Sequence, residues 1–231
     1  MTNRRPAAGE AEAPPSATAE RYLEAIFYIE GEGEAVHASR LAEWLGVSQP
    51  TVGAMLRRMA ADGLVRTSAA TVVTLAPRGA ALASRIVRRH RIAERWLTDV
   101  VGLDWAAADD EASRLSHALS DAVADRLFEL IGRPTACPHG NPIPGVDVPR
   151  GPERPLSSLA AGEHSKVRRI SEVAEHEAPE LLRFLGGQGF RIGVDVEASA
   201  ISRGAGTFTA RVEGKDVPMS LDVAGRVWVD A

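Results

Sequence analysis

The chain has a single cysteine, Cys137, in 231 residues. One thiol excludes an internal disulfide framework and points to a reducing compartment. Aromatic residues are scarce, at 5%. There is no excess of positive charge: 27 Lys and Arg face 31 Asp and Glu, a formal net charge of -4. Affinity for nucleic acid, if present, must therefore come from a local basic surface and not from total charge. No apolar run approaches the roughly 18 residues of a membrane span, and the N-terminus lacks the apolar stretch of a secretion signal. These absences predict a cytoplasmic protein with no membrane partner. A hydrophobic share of 45% is enough for a buried core.

Residues 1–17 are rich in Ala, Pro, Glu and Ser and read as a disordered tail. Tyr22, Leu23, Ile26 and Ile29 then repeat at helical spacing up to Gly31 and Gly33. Leu41, Ala42, Trp44 and Leu45 predict a second short helix, closed by Gly46. Ser48 is a good cap for a third, with Pro50 in its first turn and Val52, Met55, Leu56 and Met59 as its apolar stripe. Leu64–Val65 and Thr71–Leu75 follow as two strands. Helical patterning returns from Pro77 through Val101, and again from about Trp105 to Ile131, with Leu115, Leu119, Val123, Leu127 and Leu130 along one face. Residues 134–155 are proline-rich and read as a partly extended linker. Short strand-like runs from Val167 to Val229, with one helix at about Pro179–Leu185, suggest a small β-barrel. The domain reading is 18–77, 78–133 and 156–231, joined by 134–155.

Helix, turn, helix and two-stranded wing is the winged form of the helix-turn-helix. Ser48, Gln49, Pro50 and Thr51 form the leading end of the helix that would enter the major groove. Arg40, Arg57, Arg58 and Arg66 are candidate phosphate contacts. An ordinary three-helix core with solvated arginines has much the same pattern; the Trp44-Leu-Gly-Val-Ser48 turn followed by a wing favours DNA.

Seven segments, in order, resemble the diphtheria-toxin-repressor family of metal-dependent regulators. They are Glu20-Arg-Tyr-Leu-Glu24, Ser48-Gln-Pro-Thr-Val52, Asp62-Gly-Leu-Val65, Arg89-His-Arg-Ile-Ala-Glu94, Asp110-Glu-Ala112, Ser116-His117 and Gly140-Asn-Pro-Ile-Pro-Gly145. The resemblance runs from about residue 18 to the end. It implies a mainly α N-terminal part, made of a winged helix-turn-helix and a helical dimerisation and metal-binding domain, with a small all-β SH3-like (FeoA-like) domain after it. It also implies a homodimeric repressor on a palindromic DNA operator, with Mn(II) or Fe(II) as co-repressor and Zn(II) as an in vitro substitute. Neither enzymatic activity nor a small-molecule substrate is implied.

His90 and Glu94 stand at i, i+4 and leave one helical face. Such a pair on an arginine-rich helix is more often a solvated ion-pair face. The resemblance instead matches it to two ligands of the family's ancillary metal site, with Asp109 where a His is usual. It adds two ligands from the SH3-like domain, aligned with Glu177 and Glu180, with His176 as the neighbouring alternative. The family's activating site falls on Arg21, Ser113, Ser116 and His117, of which only His117 is a good ligand. Glu24 matches a ligand position of the manganese-responsive branch. One implication is a family member that has lost the activating site and binds DNA independently of metal, with Arg21 tethered to Asp110 or Glu111. Cys137-Pro-His139 reads as a nucleophile with a base, as a metal pair, or as a loop leading into Pro142-Ile-Pro144. The loop reading is favoured, since no second cysteine completes a zinc site. By the resemblance, that proline segment docks on the SH3-like domain.

Overall fold

The computed structural model describes residues 15–149 and 151–231, except for the side chains of Glu175, Glu177 and Pro179. The expected N-terminal tail lies almost wholly outside the described residues.

Helix α1 (Ala17–Gly31) opens at Ser16, whose hydroxyl accepts the Ala19 N–H at 3.2 Å. It buries Tyr22, Leu23, Ile26 and Ile29. Helix α2 (Ala38–Leu45) ends at Gly46, and α3 (Gln49–Ala61) starts from Ser48. Strands β1 (Val65–Thr67) and β2 (Val73–Leu75) pair antiparallel as the wing. Leu41, Trp44, Val52, Leu56 and Met59 join the α1 residues in one apolar core.

Helix α4 (Pro77–Trp96) packs against α1 and both following helices, then widens into a π-helical turn at Leu97–Val101. Its inward face buries the polar groups His90, Arg91 and Glu94 beside Ile86 and Val87. Burying charge is costly unless it is paired, so this stretch of α4 is where a site is to be sought. No helix among the described residues is long and apolar enough to cross a membrane.

The single helix expected over 105–131 is two, α5 (Trp105–Leu115) and α6 (Asp121–Leu130). Ser120 causes the break: its hydroxyl accepts the Val123 N–H at 3.3 Å and starts a new helix. The expected stripe is divided accordingly. Leu115 and Leu119 pack with Ala93 and Leu97, whereas Leu127 packs with Ile92 and Ile143.

The proline-rich stretch is not a plain linker. Ala136 and Pro142 form an isolated bridge, and the Cys137 N–H donates to the Asn141 carbonyl at 2.8 Å. This tight turn lies against the end of the strand His164–Ile170. The Ile170 N–H donates to the His139 carbonyl at 2.9 Å, and Asn141 Nδ2 to the Ile170 carbonyl at 3.0 Å.

The C-terminal part comprises β3 (Glu153–Pro155), β4 (His164–Ile170), α7 (Glu172–Glu177), α8 (Pro179–Gly187), β5 (Asp195–Ser202), β6 (Thr207–Val212), β7 (Lys215–Ser220), α9 (Leu221–Gly225) and β8 (Val227–Asp230). Its antiparallel sheet has the order β3-β8-β4-β5-β6-β7 around Phe190, Phe208 and Leu156. The strand expected from Arg191 begins at Asp195, and α7 has no counterpart in the sequence pattern.

Candidate metal centre

Two groups of donor side chains meet on α4, one helical turn apart. The inner group is Glu94, Cys137 and His139, none more than 1% exposed. One ligand atom from each lies within 4.8 Å of the others. Glu94 Oε1 is 2.5 Å from His139 Nδ1. The Trp105 ring stands edge-on to His139, with centroids 4.9 Å apart. A buried carboxylate, thiol and imidazole converging on one point are chemically matched to a divalent first-row cation, the thiol and imidazole as soft and borderline donors, the carboxylate as a hard one.

The outer group surrounds His90. Its Nε2 lies 3.2 Å from Asp109 Oδ1 and 3.9 Å from Glu94 Oε2, and its Nδ1 lies 3.9 Å from Glu24 Oε1. Burial disfavours the imidazolium, but the hydrogen bond with Asp109, with the charges of Asp109, Glu24 and Glu94, outweighs it and holds the pKa at about 9. The Asp109 carboxyl, although desolvated, is held below its ordinary value by His90. His90 in this state is a charged partner of three carboxylates, and like the Cys137 thiol it gives up a proton on ligating. The inner group is set apart by geometry, with three different donor types inside 4.8 Å.

Glu172, the first residue of α7, joins the two groups. It pairs with Arg91, whose guanidinium also reaches the Pro142 carbonyl. Burial raises its carboxyl pKa and nearby Glu94 adds to this, against the pull of Arg91. With Glu24, His90, Asp109, His117 and His176 it lines a cavity of about 250 Å³.

Of the other expected ligands, His117 lines the cavity. Glu180 is exposed on α8 and does not line the cavity, and the side chain of Glu177 lies outside the described residues. From the start of α7, at the end of β4, Glu172 turns its carboxylate toward Arg91 of α4 and lines the cavity. His176 Nε2 is 2.9 Å from the Trp44 carbonyl. His117 Nδ1 is 2.9 Å from Glu20 Oε2, and Arg89 lies 3.8 Å from the same carboxylate. Arg21 and Ser113 are exposed, and the Ser116 hydroxyl donates to the Ser113 carbonyl at 3.5 Å. The expected tether does not form: Glu111 pairs with Arg114, and Arg21 has no ion-pair partner among the described residues.

On the DNA-reading side, the Ser48 hydroxyl accepts the Thr51 N–H at 3.4 Å and lies 2.8 Å from the Thr51 hydroxyl. Gln49, Pro50 and Thr51 are exposed on the first turn of α3, and Arg57, Arg58 and Arg66 are exposed along α3 and the wing. Arg40 is engaged within the protein, 3.1 Å from Glu34 and over the Trp44 ring at 5.5 Å.

Three family descriptions match successive parts of the chain. They are an iron-dependent repressor N-terminal DNA-binding domain (residues 16–71), an iron-dependent repressor metal-binding and dimerisation domain (76–145) and a FeoA domain (154–231). The diphtheria toxin repressor of Corynebacterium diphtheriae is 35% identical over 222 residues, 92% of this chain and 96% of that protein. The chain belongs to the diphtheria toxin repressor family.

The iron-dependent repressor IdeR of Mycobacterium tuberculosis is 44% identical over 137 residues, 59% of this chain and 60% of that one. A manganese-dependent transcriptional repressor solved in complex with manganese superposes with a TM-score of 0.82 at 32% identity, over 92% of this chain and 99% of that one. The inner group of the present chain contains two residues, Cys137 and His139, that the sequence reading assigned to a loop. The available signal was two ligand-type residues at i, i+2 in a segment that also holds buried apolar Ile143.

Proposed function

We propose that the protein is a metal-responsive transcriptional repressor that binds a palindromic operator as a homodimer, with Fe(II) or Mn(II) as co-repressor. The buried Glu94–Cys137–His139 donor set carries this reading, and favours it over a metal-independent regulator. Glu94, Cys137 and His139 would hold the cation, with Glu172 at the edge of the set. When bound, a divalent cation supplies a compact positive charge that the thiolate, carboxylates and neutral imidazole satisfy, with release of protons. His90, Asp109 and Glu24 remain an ion-pair cluster beside it. The Arg21, Ser113 and Ser116 position holds no metal, because a guanidinium repels a cation and serine hydroxyls return little. There, the His117–Glu20 contact links α1 to the end of α5 in place of an ion. Titration of the reduced protein with Mn(II) or Fe(II), alone and then with DNA selected from a random pool, tests the proposal. Tight DNA binding that is indifferent to metal would overturn it.

DNA contacts fall to α3 and the wing. Thr51→Ala combined with Arg57→Ala is expected to weaken operator binding by about 2–4 kcal/mol, the scale of one base-edge and one phosphate contact. Wild-type affinity should fall steeply with salt through counterion release. A fluorescence-anisotropy titration checks both; unchanged affinity in the folded double variant would relocate the DNA-reading surface.

Val100 and Leu130 are 63% and 64% exposed on the helices that follow the wing, with Val101 and Val123 also bare. An apolar face of this kind is stable in water when covered by its own copy. Light scattering at micromolar concentration is expected to give a dimer mass, and a monomer with and without metal would refute the assignment.

A further inference from the structure

Helix α7 reaches both the cavity beside the metal centre, which His90 and Asp109 also line, and the DNA-reading unit. Its first residue, Glu172, pairs with Arg91 and lines the same cavity as His90 and Asp109. One turn on, the His176 ring stacks on Trp44 with centroids 4.0 Å apart and planes 2° from parallel. His176 Nε2–H donates to the Trp44 carbonyl at 2.9 Å, an acceptor in the last turn of α2 where intrahelical donors run out. Trp44 is itself buried in the core that seats α3, and α2 ends one residue later, at Leu45, before the turn into that recognition helix. The N-terminus of α7 is fixed as well. Glu32, at the end of α1, accepts from Arg169 Nη1 at 2.7 Å and from the Glu172 N–H at 3.1 Å.

We propose that His176 is a positioning residue for DNA recognition, which passes the state of the metal centre through α7 to Trp44 and the recognition helix. The proposal rests on the metal-responsive reading above. A six-residue helix pinned at Glu32 moves as one piece. Any change that fixes the Glu172 carboxylate also fixes the ring four residues on, and that ring covers the helix from which α3 is hung. If His176 were only surface packing, its loss would change stability a little and leave the metal response alone. If it is a relay, the two effects separate.

The test uses the full-length reduced protein with Mn(II) alone, read by calorimetry for metal binding and by hydrogen exchange of residues 49–61 for the state of α3. In wild type, Mn(II) is expected to increase protection of α3 about tenfold, a typical coupling between two sites. His176→Ala should bind Mn(II) within roughly twofold of wild type, as its ring is not part of the donor set, yet lose the Mn(II)-dependent protection. His176→Phe, which keeps a flat ring on Trp44, should restore most of it. His176→Ala that binds Mn(II) and protects α3 as wild type does overturns the relay alone. A wild-type protein that binds no Mn(II) or Fe(II) overturns the metal-centre reading, and the relay with it.

Discussion

Cys137→Ser is expected to lower the affinity for Mn(II) or Fe(II) by at least about 100-fold, the upper end of what losing even a supporting group costs a metal site. Cys137 is one of three donors that meet in a fully buried pocket. A serine hydroxyl stays protonated at neutral pH and offers a neutral oxygen where the thiolate gave a charged, polarizable sulfur. Apo-protein stability should change far less, since the two side chains are nearly the same size. Asp109→Asn gives the contrast. It removes a charge beside His90 without touching the inner group, so its effect on metal affinity should be much smaller. Calorimetric titration of both variants decides the matter. If Asp109→Asn abolishes binding and Cys137→Ser does not, the ion sits with His90 and Asp109, and the assignment to Glu94, Cys137 and His139 is wrong.

The parts of this site that were legible in the sequence are those set by local periodicity. His90 and Glu94 are one turn apart on a helix, and a helix puts such residues on one face whatever surrounds it. The contact of Glu94 with Cys137 and His139 spans more than forty residues of chain and has no periodicity. It exists because the 136–142 turn folds back on β4 and presses against α4 near Trp105. Requiring a second cysteine for a metal site set aside mixed donor sets completed from a distant helix. The exposed position of Glu180 has a similar origin. A short polar helix such as α7 has no apolar stripe to announce it, so the acidic residues after β4 could not be put in register with α4. In the fold, the helix-turn-helix core was legible because its apolar spacing, Ser48 cap and Gly46 stop agree with one another. The break between α5 and α6 was not, because a serine inside an apolar stripe reads equally as a solvated helical position or a new cap. Ser120 takes the second role because the Leu115 and Leu127 ends pack into different clusters.

Gly140→Ala is expected to remove several kcal/mol of stability and to impair metal binding without altering any donor. The residue has φ +87, and a Cβ added there would lie 2.1 Å from the Arg168 carbonyl oxygen and 2.9 Å from Arg169 Cα. The dihedral alone costs a non-glycine residue about 1–2 kcal/mol. The overlap is with backbone of a paired strand, which cannot step aside as a flexible side chain would. The turn must therefore lift from β4, and the Ile170–His139 and Asn141–Ile170 hydrogen bonds go with it. Each buried group left without its partner costs about 1–3 kcal/mol more. A total of about 3 kcal/mol or above corresponds to a melting temperature lower by about 10 °C for a chain of this length. Since His139 and Cys137 belong to the same turn, their approach to Glu94 is lost together with the docking. Gly145→Ala supplies the control. That glycine has φ +84, but its added Cβ meets nothing nearer than Arg88 Nη1 at 3.9 Å. It should pay the dihedral strain alone and keep wild-type metal affinity. Equal melting shifts in the two variants would mean that the 136–142 turn is not seated on β4, and with it would go the geometry that completes the metal centre.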